Sequence, residues 1–565
     1  MTGVVTTPEA TQTPATADWP QRQFRAPAAD RGLLVHPAGV DPELLLRENR
    51  VRLDDSAASL CGEPLESLRR QCRRDILKAA CDYTARLRSV RPDLPDPDAD
   101  LIAVGHQPGL PHPGVWLKNF AAAAIAERVG GTALNVIVDS DQVESLDVQT
   151  LSGSPGEPHR RSVPLDSCSR PSAWEDVRLH CPDAFATAGQ TIAEDMRAFG
   201  IEPLAIDAWK EVGPVDGNDS VVDTLTRMRH RLALEWGSEL LEVPLRQICR
   251  LPCFAQFLCH VIGEIESLHT SYNTGLATYR RQNGLRSDSH PMPDLQRLSH
   301  PDGGVLLEAP LWVWRAGDER RRPLYVRRDE CGVRLFDRVD GQPVQVAVVR
   351  GQACDWSDWH RVVTDLDHQW VRVRPRALMT TLFLRVCLGD LFIHGIGGAK
   401  YDEVTDWLIR DWLGLDSAPE FLTVSGTLRL PVERPAVSEA DERAARSRLR
   451  GIRFNPERHG ASGPAVDRKH ALIGEQQTAE RRFAHSRDRD GRRNFDRYRE
   501  IQRLNDEMAE QLAGERAAAK ADLIAVRERL RQDDVLSSRE YPWVSYPAAL
   551  LREWLVGSAD EVAAG

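Results

Sequence analysis

Residues 101–141 read LIAVGHQPGLPHPGVWLKNFAAAAIAERVGGTALNVIVDSD, and this stretch decides the fold. Leu101–Val104 is a short apolar run of the length a buried strand needs. Gly105, His106, Gln107, Pro108 and Gly109 follow as a loop of turn-forming residues. Val115–Val129 then supplies a helix, and Gly130 and Gly131 stop it, as glycines commonly do. ALNVIVDSD returns to an apolar run. Strand, Gly/Pro loop, helix, glycine stop and strand make a βαβ unit, whose two strands lie parallel.

Outward from this unit the pattern changes in steps. Residues 1–30, rich in Thr, Pro and Ala, are expected to form a disordered tail. Residues 31–165 form the first part of an α/β core, entered through an amphipathic helix, LESLRRQCRRDILKAACDYTARL. Residues 166–300 alternate loops and helices and are expected to be a mostly helical insertion. Residues 301–434 hold hairpin-like alternation from Gly303 to Val349, then a second α/β unit, in which IGGAK is expected to be a glycine loop. Residues 435–540 are dominated by Ala, Glu, Arg, Leu and Gln and are expected to form a helical, coiled-coil-like arm of paired helices. Residues 541–565 carry aromatics that would be wasted in solvent, so this segment is expected to dock on the core.

Composition sets bounds. The chain has 565 residues, 41% hydrophobic and 28% charged, an ordinary globular balance. A net charge of -11 does not suit a general nucleic-acid binder, which displaces counterions with clustered cations. No run approaches the ~20 apolar residues that cross a bilayer. The first residues lack a basic region followed by an apolar core, so no secretory leader is expected. The 11 cysteines are odd in number and form no CxxC pair, which reads as reduced thiols in a cytoplasmic protein. Cys249, Cys253, Cys259 and His260 are the tightest group, but closed zinc-site spacings are absent and no metal is expected.

Four constellations can carry chemistry. The first is Gly105, His106, Gln107, His112, Gly114, Lys118 and Asn119, at the carboxyl end of the first strand, where open parallel sheets bind ligands. Glycines admit close approach, a helix N-terminus favours anions, and the histidines can donate to phosphate or carboxylate oxygens. The same residues also suit an ordinary strand–helix turn. The second is Asp139 and Asp141, which can hold an amine, a ribose hydroxyl or magnesium, or simply cap a helix. The third is His394, Gly397, Gly398 and Lys400, an anion cradle in outline or a tight turn with a solvated lysine, with Arg374 and Arg376 just ahead as a clamp for carboxylate or phosphate. The fourth runs from Ser271 to Leu295, with Asn273, Tyr279, Arg280, His290 and Asp294, followed by Glu308, Trp312 and Trp314; packing between elements explains it as readily as binding. No residue stands out as a covalent nucleophile, and Cys387 reads as core.

The first loop is neither GxGxxG nor GxxxxGK[ST]. It is more similar to the loop of the nucleotidyltransferase superfamily, with His112-Pro113-Gly114-Val115 as a degenerate counterpart of the HIGH motif. Taken together, GHQPGLPHPGVWLKN, the acidic VDSDQVESLDVQ and the late RPRALMTTLFLRVCLGDLFIHGIGGAKYDEV resemble the cysteine-adding enzymes of bacillithiol synthesis, the BshC family. The resemblance implies a Rossmann-like parallel sheet core with inserted connecting regions and a helical arm that mediates homodimers. It implies a ligase that joins an amino acid such as cysteine to a sugar-linked or carboxylate acceptor through an amide, with ATP or ADP as a nucleotide partner. His106, His112 and Lys400 would then be catalytic. Gly105, Gln107, Gly114, Lys118, Asn119, Asp139, Asp141, Arg374, Arg376, His394, Gly397 and Gly398 would bind substrate or nucleotide. The chain departs from the family at His106, which stands for the second residue of a GQQ pattern, at His112-Pro113, and in an acidic stretch without histidine. The alternative reading is a non-catalytic nucleotide- or metabolite-binding protein that assembles through its arm.

Overall fold

A computed structural model describes residues 24–166, 170–287, 292–330, 332–350, 356–482 and 491–565. Most of the expected tail lies outside them, as does His290. The described chain is mixed α/β.

Six strands build the main sheet: β1 (Gly32–His36), β2 (Leu101–His106), β3 (Thr132–Ile137), β4 (Leu241–Pro244), β5 (Leu391–His394) and β6 (Phe421–Thr427). Their spatial order is β1-β6-β5-β2-β3-β4. The strands β2 to β6 are parallel, and β1 pairs antiparallel with β6 at one edge. A strand buried on both faces needs an unbroken apolar run, and β2 shows why. Leu101 and Ala103 enter one core while Ile102 and Val104 enter the other. From β2 the chain steps outward through β3 to β4. It then returns across the sheet, setting β5 on the other side of β2 and β6 beyond it. The winding therefore reverses between β2 and β5. The carboxyl ends of strands at such a reversal leave a crevice for ligands, because the connecting segments diverge there.

Helix α1 (Pro113–Val129) links β2 to β3. Proline in its first turn, the His112 side chain as N-cap and Gly130 at φ 67° as the stop account for its limits. The tight fit of its start is set by Gly114, where a Cβ would stand 2.1 Å from Gly426 O. Helix α4 (Ile396–Asp411) packs on β5 and β6, α3 (Ile265–Gln282) packs on α4, and α2 (Val221–Glu235) reaches β4 through Arg229.

The mostly helical residues 166–300 also donate β4 to the main sheet. The four residues of β4 include Glu242, and its charge is accommodated by Arg229 of α2 at 2.8 Å and Asn135 of β3 at 2.6 Å. One expectation needs correction here: IGGAK is not a loop, since the helix α4 begins at Ile396 and both glycines lie in its first turn.

A second, antiparallel sheet runs in order through Arg297–Ser299, Val305–Arg315, Arg322–Asp329, Gly332–Val339 and Gln342–Arg350. Val371–Pro375 joins it beside Val305–Arg315, and this strand leads into β5. Among the described residues, the late helical region holds four α-helices rather than two: α5 (Glu439–Phe454), α6 (Pro464–Arg482), α7 (Gly491–Gln511) and α8 (Ala513–Leu536). Pro456, Gly460 and Gly463 break the first pair. Across the folded-back layers, Glu442 and Arg527 pair α5 with α8 at 2.8 Å, and Arg468 and Glu500 pair α6 with α7 at 3.0 Å. Ile452, Leu472, Leu504, Met508 and Ala519 form their shared core.

Trp543 of the last segment stacks at 4.6 Å on Trp116 of α1, and both rings are buried. Cys181 is disulfide-bonded, which departs from the all-thiol expectation; scattered spacing does not reveal pairing between cysteines. Seven other described cysteines are free thiols, Cys249, Cys253, Cys259 and Cys387 fully buried among them. No described helix is long and apolar enough to cross a membrane.

Candidate ligand site at the carboxyl edge of the sheet

The winding reversal brings the first and third constellations together. Lys118 lies in the second turn of α1, and helical side chains lean toward their own N-terminus. Its Nζ accordingly reaches back to donate to Gly105 O at the end of β2, at 3.0 Å. Just across the reversal, a Cβ on Gly395 would stand 3.8 Å from the same Nζ. Lys118 is 3% exposed. Burial pushes its ammonium down to about 8, with no carboxylate acting against it. An isolated cation in such a place is expensive, and an anion beside it relieves the cost.

The start of α4 faces the same point. Gly395 provides no side-chain cap, and Ala399 N is bonded back to Gly395 O at 3.1 Å. The amides of Ile396, Gly397 and Gly398 are the free donors that any helix start presents to an anion. Gly397 is exposed, with no atom within 4 Å of where its Cβ would be. His394 holds this start in place: its Nε2 is 2.8 Å from Asp402 Oδ2, which also accepts from Arg385 at 2.6 Å. Burial would raise the Asp402 carboxyl, but Arg385 and His394 overcome it and hold it at about 2. His394 is thus an anchor for α4, fully engaged in the core.

His106 closes β2 and is half-buried, with Nδ1 3.1 Å from Gln107 O. Burial, then the charge of Lys118, push its imidazole down to about 3. Gln107 continues the edge by donating to Asp141 Oδ2 at 2.9 Å, and Arg321 donates to Asp141 Oδ1 at 2.7 Å. Arg321 and Arg376 both lie against the Trp312 ring, at 5.0 and 4.2 Å from its centre. Arg376 in turn donates to Glu308 at 2.6 Å. These contacts carry the edge from β2 to the second sheet, and Arg321 in particular was hidden in the sequence. It sits in DERRRP, which looks like a solvated turn.

Other predicted residues are engaged elsewhere. Asp139 is fully buried, with Oδ1 accepting from Arg246 N at 3.0 Å and Oδ2 bound by the same guanidinium. Burial raises its carboxyl despite Arg246. Arg374 is fully buried between Glu175 at 2.9 Å and Asp367 at 3.0 Å, which removes it as a clamp for ligand. Burial pushes Glu175 up to about 7 against the pull of Arg374. His112 caps α1 by accepting from Gly114 N at 3.1 Å, and its other edge lies 3.1 Å from Arg539. Gly114 is packed on β6, Asn119 is buried within α1, and Lys400 is exposed. In the fourth constellation, Asn273 exchanges two bonds with Leu295, and Arg280 binds Asp294 at 2.9 Å, so these residues pin one segment to α3.

No protein-family model matches the chain, and no curated protein matches it.

Proposed function

We propose that the main sheet is a Rossmann-like, nucleotidyltransferase-like core that binds an anionic ligand at the winding reversal, and that the protein is a BshC-like ligase. The reaction would form an amide between an amino acid such as cysteine and a sugar-linked or carboxylate acceptor, with ATP or ADP as the nucleotide. One observation carries the binding part: a buried ammonium, Lys118, without a carboxylate partner among the described residues, between the ends of β2 and β5 and beside the free amides of α4. Phosphate and carboxylate both fit that donor set. The amide chemistry rests on the loop resemblance. On this reading the protein works in the cytoplasm, and α5 to α8 join two copies.

The second reading, a binding protein without turnover, has its own support. Asp139 and Arg374 are locked in ion pairs and Lys400 faces solvent, which leaves few groups free to move protons. Thermal unfolding against ATP, ADP, AMP, cysteine, malate and sugar–malate conjugates separates the cases, repeated with Lys118→Met. A ligand at 100 times its Kd adds roughly 2.7 kcal/mol. A shift that the variant abolishes supports the site, and amide formation from the same mixture decides between ligase and binder. A shift unchanged in the variant removes the site from the reversal.

A further inference from the structure

His112 meets a hydrogen-bond donor at each ring nitrogen. Its Nδ1 lies 3.1 Å from Gly114 N, and its Nε2 lies 3.1 Å from Arg539 Nη2. A neutral imidazole offers one acceptor, so one of these contacts sets two hydrogens against each other. Gly114 N cannot turn away, because its residue is fixed in the first turn of α1 and packs against Gly426 O. Nδ1 therefore accepts from Gly114 N, and the ring hydrogen sits on Nε2, facing the guanidinium.

Arg539 belongs to the segment after α8 and reaches across the end of β6. Its Nη1 donates to Thr427 Oγ1 and its Nη2 to Ser425 Oγ, both at 3.4 Å, which is long for a charged donor. Its Nε is buried and makes no hydrogen bond among the described residues. The neighbouring carboxylate does not close the gap. Glu540 Oε1 stands 3.2 Å from Arg539 Nε without the alignment of a hydrogen bond, and Oε2 stands 3.7 Å from His112 Nε2. The Glu540 side chain is 64% exposed, against 11% for His112 and 17% for Arg539. Two largely buried donors thus converge beside a carboxylate that is loosely held and free to swing into water.

An oxyanion completes such a pair, since its oxygens accept from both donors at once. The tethered Glu540 decides which oxyanion. A carboxylate ligand brings the same charge and the same two oxygens as Glu540, so it has no advantage over it. A phosphate group carries roughly -1.5 to -2 charge at pH 7 and three strong acceptor oxygens, and it outcompetes Glu540. We infer that His112 Nε2–H and the Arg539 guanidinium form a phosphate-binding site at the end of β6, from which the ligand displaces Glu540. The site is built on other residues than the Lys118 position and does not rest on that reading.

The test titrates inorganic phosphate into the full-length protein and into Lys118→Met, followed by calorimetry and phosphorus-31 line broadening, with acetate as the carboxylate control. In both proteins phosphate should bind about tenfold tighter than acetate. Glu540→Gln removes the competing charge from an exposed side chain and should tighten phosphate about three- to tenfold. Arg539→Gln should weaken it about tenfold or more, and His112→Asn, which keeps an oxygen to cap α1, should weaken it too. Phosphate affinity unchanged or lowered in Glu540→Gln, acetate binding as tightly as phosphate, or no phosphate binding in either parent or Glu540→Gln would each overturn the inference. Phosphate binding lost in Lys118→Met but kept in Arg539→Gln would overturn it as well, while leaving the anion site at the reversal standing.

Discussion

Lys118 Nζ donates to the carbonyl oxygen of Gly105 at 3.0 Å and, among the described residues, has no carboxylate to balance its charge. Its pKa falls from 10.5 to about 8. A lowered amine leaves the folded state with fewer bound protons than the unfolded state between about pH 8 and 10.5. The resulting loss of stability is absent above pH 10.5, grows as pH falls, and is complete below about 8. Lys118→Met should therefore stabilise the protein at pH 7, by on the order of 2–3 kcal/mol, while removing anion binding. Urea unfolding at pH 7 measures the first and calorimetric titration the second. A destabilised variant would mean that the ammonium is compensated.

The loop histidines give an acid signature. His106 and His112 both fall from 6.5 to about 3, burial being the main cause in each. Below pH 6.5 the unfolded chain takes up protons that the folded rings refuse, so stability drops as pH falls. Each ring adds up to about 1.4 kcal/mol per pH unit. Between pH 6.5 and 5, above most carboxylate titrations, His106→Gln should show a shallower slope than the parent in urea midpoints.

Asp139 and Asp141 should behave differently although the sequence places them in one motif. Asp139→Ala removes one of the two carboxylates that hold the half-buried Arg246 guanidinium, leaving Asp223, and should cost about 2 kcal/mol, with ligand affinity of the folded fraction unchanged. Asp141 is 37% exposed, and Asp141→Ala should cost no more than about 1 kcal/mol. Paired denaturation curves check the contrast.

Two glycines form a second contrast. A Cβ at Gly114 meets Gly426 O at 2.1 Å, so Gly114→Ala must push α1 off β6, at a cost of at least ~2 kcal/mol. Gly397 has open space in its place, and Gly397→Ala should stabilise α4 by about 0.5–1 kcal/mol. Melting temperatures moving in opposite directions would verify both.

Lys400 is exposed on α4. Lys400→Ala should change stability by less than about 0.5 kcal/mol and leave anion affinity at the reversal intact. A large loss of affinity would restore it to the site.

The strand–helix–strand unit from Leu101 to Ile137 is legible because each element carries its own pattern: apolar runs for the strands, a glycine stop for the helix. The strands β1 and β4 are not, since five and four residues around a charge or a turn gain their identity only from neighbours in the sheet. The position of Lys118 is readable from its loop, but its lack of a counter-ion is not. Arg374 and Arg376 look equivalent in sequence. Their fates differ because Glu175, far away in the chain, reaches the first and Glu308 the second. IGGAK misleads because glycine is a poor helix former, and the His394–Asp402–Arg385 cluster overrides that preference.

The order of strands also constrains how the chain is made. Ile102 of β2 aligns with Leu391 of β5, and Gly32 of β1 aligns with Thr427 of β6. A ribosome that has released only β2, β3 and β4 has delivered one wall of the crevice and left its other wall unsynthesised. The edge of β2 then waits with unpaired backbone while residues 245–390, about a quarter of the chain, are made. Such long-range pairing is slow and exposes nascent chain to aggregation. On the proposed function, ligand affinity would be acquired late, when β5 joins β2, and shortened chains that end before Leu391 should have none.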